Sequence, residues 1–149
     1  MFNKKYRKGI FIVTYAIKNK EPEYLILKRK LHWKGWEFPK GGFKKLETIK
    51  GAIKREIREE TGLKILKIKN LKESGEYKYK KELPDRKGII GQTYKLYAVE
   101  VKKKKVKIDN IEHTHSKWLN FKKALKTLTW PNQRKCLRKV DKYINSQNL

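Results

Sequence analysis

Residues 41–63 read GGFKKLETIKGAIKREIREETGL, and this stretch decides the fold because it joins a strong helix signal to a cluster of acids. Thr48 favours a helix start, since its hydroxyl can accept a hydrogen bond from the first turn. Gly62 favours a helix end in the left-handed conformation. Apolar residues recur between them at helical spacing, at Ala52, Ile53 and Ile57. The sequence therefore predicts a helix over residues 48–61.

Three carboxylates share one face of this predicted helix, because Glu56, Glu59 and Glu60 stand at positions i, i+3 and i+4. Like charges at such close spacing repel one another. A hard divalent cation with oxygen ligands relieves the repulsion, and magnesium commonly bridges carboxylates to substrate phosphates. In a chain with 38% charged residues, the same run is also compatible with a solvated helix face carrying pairs such as Arg55 and Glu59.

The whole pattern resembles the Nudix box, GX5EX7REUXEEXGU, in which U is an aliphatic residue. Every specified position is filled, by Gly41, Glu47, Arg55, Glu56, Ile57, Glu59, Glu60, Gly62 and Leu63. At average residue frequencies, a chance match in a chain this long is on the order of one in ten million. The chain is thus identified as a member of the MutT-like Nudix hydrolase superfamily. The resemblance implies an α/β fold, namely an α/β/α sandwich with a mixed β-sheet and a catalytic loop–helix–loop.

The resemblance also implies a reaction and a set of site residues. The reaction is hydrolysis of a diphosphate linked to another moiety, with magnesium or manganese as the cofactor. The implied metal site consists of Glu56, Glu59, Glu60, Gly41 and Glu47. Arg55 is expected to orient the carboxylates, and the bound metals would lower the pKa of the attacking water.

Two elements outside the box bear on the substrate. The run W-x-F-P-K-G before the box is similar to diadenosine tetraphosphate hydrolases, messenger-RNA decapping enzymes and bacterial RNA pyrophosphohydrolases. Lys40, in this run, is predicted to contact a phosphate as a mobile point charge on a glycine-rich loop, or else to be an exposed lysine. Diadenosine tetraphosphate hydrolases often carry histidine at the position of Gly42, whereas RNA-directed relatives more readily carry glycine.

The second element is E-H-x-x-x-W-L, which begins at Glu112 and resembles diadenosine polyphosphate hydrolases. The resemblance implies that Glu112 is an additional metal ligand or a general base, and the alternative is a surface carboxylate. His113 is either a phosphate contact or a structural loop histidine. Tyrosines that alternate along the predicted strands can stack on a nucleobase or serve packing; they are Tyr77, Tyr79 and Tyr94.

Composition fits one domain spanning residues 1–149. No segment reads as a signal peptide or a membrane span. The single cysteine, Cys136, excludes an internal disulfide, indicates a cytoplasmic protein and is expected in the core. Net charge is +26, and removing seven arginines from the 41 basic residues leaves 34 lysines spread along the chain. This excess is explained either by a polyanionic partner such as RNA or by compositional bias.

Periodicity predicts further elements around the box. Strands are predicted at residues 9–18, 24–29, 63–68, 73–81, 89–101, 105–108 and 117–120. Helices are predicted at residues 121–128 and from Pro131 onward, with Leu137, Val140 and Ile144 facing inward.

The combined signals predict a metal-dependent Nudix pyrophosphohydrolase whose leading substrates are dinucleoside polyphosphates such as diadenosine tetraphosphate. The first alternative is removal of diphosphate from the 5′ end of RNA, including decapping-type chemistry, which the basic composition favours. A third alternative is a non-catalytic module that binds nucleotide or RNA through an inactive box.

Overall fold

A computed structural model describes residues 5–147, and within this range the chain forms seven strands and three helices. The strands are β1 (Lys5–Lys18), β2 (Glu21–Arg29), β3 (Gly35–Glu37), β4 (Lys40–Gly42), β5 (Ile65–Lys78), β6 (Ile89–Val101) and β7 (His113–Leu119). The helices are α1 (Ile49–Glu60), α2 (Phe121–Thr127) and α3 (Pro131–Asn145).

The strands form one mixed sheet in the order β3-β2-β1-β6-β5. Strands β1 and β6 run parallel at its centre, and the other pairings are antiparallel. Strand β4 adds to one end of β1, while β7 pairs with β2. The predicted mixed sheet is therefore confirmed.

Each face of the sheet carries its own apolar core, because the central strands are buried on both sides. Along β1, Ile10 and Ile12 join α1 on one face, whereas Phe11 and Val13 join α2 and α3 on the other. Cys136 of α3 is buried in the second core, as predicted. This three-layer arrangement is the predicted α/β/α sandwich.

Several predicted boundaries are corrected. Periodicity predicts two separate strands at residues 63–68 and 73–81. The structure instead has one continuous strand, β5, with an irregularity between Asn70 and Ser74. Lys72 has a positive φ of 54°, and the register with β6 shifts there, from Asn70 opposite Tyr97 to Ser74 opposite Lys95. Residues 105–108 form no strand, and the segment instead packs Val106 into the core.

Other differences concern the segment before the box and the start of β7. The predicted glycine-rich loop at residues 40–42 is the short strand β4, which pairs with residues 9–11 of β1. Strand β7 begins at His113, earlier than the predicted residue 117. Among the described residues, no helix is both long and apolar enough to cross a bilayer.

Candidate active site

Helix α1 has the predicted limits and presents the acidic cluster. The Thr48 hydroxyl accepts a hydrogen bond from the backbone N–H of Gly51 at 3.0 Å, and Gly62 follows the helix with a φ of +70°. The three carboxylates differ strongly in exposure. The side chain of Glu59 is 48% exposed and that of Glu56 is half-buried, whereas Glu60 is only 2% exposed.

Arg55 links the box loop to the acidic face of α1. Its guanidinium donates two hydrogen bonds to Glu47, of 2.7 and 2.8 Å, and one of 2.7 Å to Glu56. It also donates to Glu59 at 3.3 Å and to the carbonyl oxygen of Gly42 at 2.9 Å. The hydrogen bonds from Arg55 lower the pKa of Glu47 to about 2. The arrangement fixes the carboxylates relative to the loop.

Gly41 lies directly against Glu56. A Cβ atom at position 41 would overlap the Glu56 carboxyl group. Only glycine allows this approach, which brings the backbone of β4 beside the carboxylate. The box requires glycine at position 41 because of this close contact with Glu56, and not because the backbone turns there.

Glu60 is the least satisfied carboxylate of the site. Neither of its oxygens has a hydrogen-bond partner within the described residues, although the side chain is buried. Burial and the nearby charges of Glu56 and Glu112 hold its pKa well above the ordinary value. Burial likewise raises the pKa of Glu56, with Arg55 opposing the shift.

Glu60, Glu112 and His113 bring one ligand atom each to within 4.8 Å of one another. The loop before β7 positions this group, because Asp109 accepts hydrogen bonds from the backbone of Glu112 at 3.0 Å and of His113 at 3.4 Å. Unpartnered buried oxygens and a converging set of carboxylates are what a divalent cation requires. The residues therefore fit the metal that the family uses.

A second carboxylate, Glu37, is fully buried beside the site but is surrounded by donors. Four side chains contact its two oxygens at 2.9–3.4 Å, from Arg29, Trp33, Lys40 and His113. Burial alone would raise the pKa of Glu37, but Lys40, His113 and Arg29 together lower it to about 2. Glu37 is therefore an anion that holds neighbouring cations in place.

Basic and acidic groups meet in one cleft above these residues. Its charged lining comprises Arg7, Arg29, Lys40, Arg86, Glu56 and Glu112. Carboxylates at one side and four cations around them can accept a metal-bound anion such as a phosphate chain.

The structure corrects three of the predicted substrate contacts. Lys40 is buried and held by Glu37 at 3.3 Å, so it is not a mobile point charge, although it lines the cleft. His113 is 1% exposed and bonded to Glu37, which leaves no surface for a phosphate. Tyr94 is 7% exposed and stacks on Phe11, with ring centroids 4.0 Å apart, so it serves the core.

The other two tyrosines lie at the cleft. Tyr77 accepts a hydrogen bond from Lys40 at 3.4 Å, and burial raises its pKa to about 12. Tyr79 accepts a hydrogen bond from Arg86 at 2.8 Å. The two rings meet edge to face at a centroid distance of 6.2 Å.

Sequence reasoning missed six residues of this region: Arg7, Arg29, Trp33, Glu37, Arg86 and Gln92. Only Glu37 carried a signal, since an acid between Trp36 and Phe38 in a strand-like run predicts a buried charge that needs partners. Sheet pairing positions Arg7, Arg29 and Gln92, whereas Trp33 and Arg86 lie on connections between strands.

Comparison with known proteins agrees with this geometry. The sequence profile of the NUDIX domain matches residues 5–140. No curated protein sequence matches the chain significantly. An Ap4A hydrolase of C. elegans in a binary complex has a similar fold, with a TM-score of 0.74 and 22% identity, and the match covers 94% of this chain and 98% of that one.

Two other solved structures are similar over most of their length. The dihydroneopterin triphosphate pyrophosphohydrolase of E. coli gives a TM-score of 0.75 at 21% identity, covering 94% of this chain and 99% of that one. The NUDIX domain of NrtR from Shewanella oneidensis, complexed with ADP ribose, gives a TM-score of 0.77 at 13% identity, covering 95% and 90%.

The mixed α/β sandwich with its acidic loop–helix–loop, together with the profile match, places the protein in the class of Nudix-type domains, whose enzymes are hydrolases that use divalent metals. Because the profile match spans nearly the whole chain, the protein belongs to the NUDIX family. The prediction made from the box is confirmed at this level.

Proposed function

We propose that the protein is a metal-dependent pyrophosphohydrolase whose preferred substrates are dinucleoside polyphosphates such as diadenosine tetraphosphate. One observation carries the proposal: Glu56 of α1, Glu112 and four cationic side chains line the same cleft. A diphosphate alone needs few cations, whereas a longer phosphate chain carries charge that several cations must balance. The similar fold of an Ap4A hydrolase supports the same ranking.

The metal ligands are proposed to be Glu56 and Glu60, with Glu112 as either a third ligand or the general base, and with Mg²⁺ or Mn²⁺ as the ion. When bound, the ion would polarise a phosphate oxygen and lower the pKa of the attacking water. Arg55 keeps Glu47, Glu56 and Glu59 in a fixed arrangement, as its hydrogen bonds indicate. Gly41 allows the backbone to approach Glu56.

The remaining charged residues are assigned to orientation and proton transfer. Arg29 and Lys40, fixed by Glu37, neutralise phosphate charge near the carboxylates. Glu59 and Glu112 are the more exposed acids and can accept the proton of the attacking water. Comparing the pH profiles of Glu59→Gln and Glu112→Gln identifies which one does so, because loss of the base removes the acidic limb.

The test is a substrate panel at fixed magnesium in ¹⁸O-labelled water. We expect diadenosine tetraphosphate to be cleaved faster than ADP-ribose, nucleoside triphosphates and nucleotide sugars, with the label in one phosphoryl product. Chelator should abolish turnover. An enzyme that cleaves none of these compounds with either metal would refute the proposal.

A second candidate, hydrolysis at the 5′ end of RNA, is favoured by the net charge of +26. Its substrate would present a triphosphate or a cap followed by a polyanionic chain. Side-by-side turnover of 5′-triphosphorylated RNA and diadenosine tetraphosphate separates the two, and faster turnover of RNA would reverse the ranking. A purely binding role would be supported if Glu59→Gln left all biological activity unchanged.

A further inference from the structure

Two of the four cations in the cleft have no carboxylate partner among residues 5–147. Arg29 and Lys40 are paired with Glu37, so part of their charge is already balanced. Arg7 and Arg86 line the same cleft without such a pair. The cleft thus contains two cations that are paired with a carboxylate and two that are not.

Arg7 owes its position to Gly42. Strand β1 carries Arg7, and β4 carries Gly42 alongside it. A Cβ atom at position 42 would lie 2.6 Å from Nη2 of Arg7 and 2.9 Å from Cζ. The guanidinium therefore occupies the space that any side chain at position 42 would fill, one residue after the glycine that touches Glu56.

Arg86 comes from the turn between β5 and β6 and is held by Tyr79. Its Nη1 donates to the Tyr79 hydroxyl at 2.8 Å, and Cζ lies 5.7 Å from the ring centroid. The guanidinium has five N–H donors, so this contact leaves most of them available.

The two arginines also influence each other electrostatically. Burial lowers the pKa of Arg7, and the positive charge of Arg86 lowers it further. An arginine remains charged under such shifts, and the carboxylates of Glu56 and Glu112, which line the same cleft, offset only part of the repulsion. Guanidinium groups bind phosphate through paired N–H donors, and a phosphate here would remove the repulsion.

We propose that Arg7 and Arg86 form a phosphate subsite that binds a phosphoryl group beyond the scissile linkage. The ligand class is a linear polyphosphate of three or more phosphoryl groups, with the linkage to be cleaved at the carboxylates. The proposal deepens the proposed function and depends on it only for the position of that linkage.

The test measures the binding of inorganic tripolyphosphate by isothermal titration calorimetry at moderate salt. A metal chelator is present, so that neither metal binding nor hydrolysis contributes to the measured heat. Arg7→Gln and Arg86→Gln are compared with Arg138→Gln, which removes the same charge from the exposed face of α3. Each cleft variant should weaken binding at least about tenfold, and the control less than about twofold.

Three results would overturn the subsite: no binding of tripolyphosphate to the wild type, equal binding by the cleft variants, or an equal loss in Arg138→Gln. Arginine-dependent binding without any hydrolysis of nucleotides would instead overturn the proposed function and leave the subsite intact. The two failures are therefore distinguishable.

Gly42→Ala provides a second and independent variant, because it keeps Arg7 but displaces the guanidinium. In the wild-type background it should weaken tripolyphosphate binding to a degree comparable with Arg7→Gln. In the Arg7→Gln background it should add almost nothing, since the group it displaces is gone. Additive losses would show that Gly42 acts elsewhere and would refute the positioning of Arg7 by this glycine.

Discussion

Glu37 and Glu60 are both buried carboxylates near the same cleft, yet their surroundings are opposite. Four donors contact Glu37, and its pKa is lowered to about 2. No donor contacts Glu60 within the described residues, and its pKa is raised. Both oxygens of Glu37 are occupied by donors, whereas both oxygens of Glu60 are available to a cation. Hydrogen-bond partners, rather than burial, thus distinguish the structural carboxylate Glu37 from Glu60, the carboxylate proposed to bind the metal.

The largest expected effect comes from Glu37→Gln. This change leaves Arg29 and Lys40 buried without their counter-charge, and breaking a buried pair in this way costs about 3–5 kcal/mol. Urea denaturation monitored by circular dichroism should show that loss in the free energy of unfolding. If the loss is below about 1 kcal/mol, the donors around Glu37 do not depend on its charge.

Glu60→Gln should stabilise the metal-free protein, unlike Glu37→Gln, and should lower its activity. Removing a proposed metal ligand should lower kcat/KM by about 10²–10³-fold. The metal-free protein should melt roughly 2–4 °C higher, because an unpartnered buried charge is removed. Calorimetric melts with and without Mg²⁺ check both parts, since stabilisation by the ion should be present in the wild type and absent in the variant.

The pH dependence of stability should have two parts, one from the raised pKa values of Glu60 and Glu56 and one from the lowered pKa values of Glu37 and Glu47. Glu60 has a raised pKa in the folded state, so the metal-free fold gains stability as the pH falls from that raised pKa to the unfolded value of about 4.5. Glu37 has a lowered pKa, so its contribution is present above its unfolded value of about 4.5 and is lost as the pH falls toward 2. Melting temperatures from pH 8 to pH 2 should therefore rise and then fall.

The corresponding variants separate the two limbs of this profile. Glu60→Gln should reduce the rise on mild acidification, and Glu37→Gln should reduce the fall at lower pH, with the remainder due to Glu56 and Glu47. A monotonic profile in the wild type would contradict the assigned pKa directions.

The smallest effect is expected at an exposed ion pair, which serves as the reference for the buried ones. Lys103 contacts Glu23 at 2.9 Å near the surface. Glu23→Gln should change the free energy of unfolding by less than about 1 kcal/mol, because solvent screens such pairs. A larger loss would mean that charge alone, rather than burial, determines the cost at Glu37.

Sequence reasoning succeeded where the signals were local. Thr48 and Gly62 delimited α1 correctly, and the spacing of Glu56, Glu59 and Glu60 placed them on one helix. The strands of the central sheet were also found, because two-sided burial produces apolar runs.

It failed where position depends on pairing between distant segments. Arg7 reaches the cleft only because β1 pairs with β4, and Glu37 meets His113 because β2 lies between β3 and β7. The two-strand prediction for β5 failed because the strand continues through an irregularity between Asn70 and Ser74, where its register with β6 shifts. Neither register nor such an irregularity is encoded by local periodicity.

The buried network around Glu37 has a consequence for ligand binding. Arg29 and Lys40 are long side chains that would ordinarily lose rotamer freedom when an anion arrives. Folding already restricts both side chains, because each is paired with Glu37. Each also lies over the Trp33 ring, with Cζ of Arg29 at 4.8 Å and Nζ of Lys40 at 4.5 Å from the ring centroid. Capture of an anion at this end of the cleft should therefore proceed with a small entropy loss and little rearrangement of the protein.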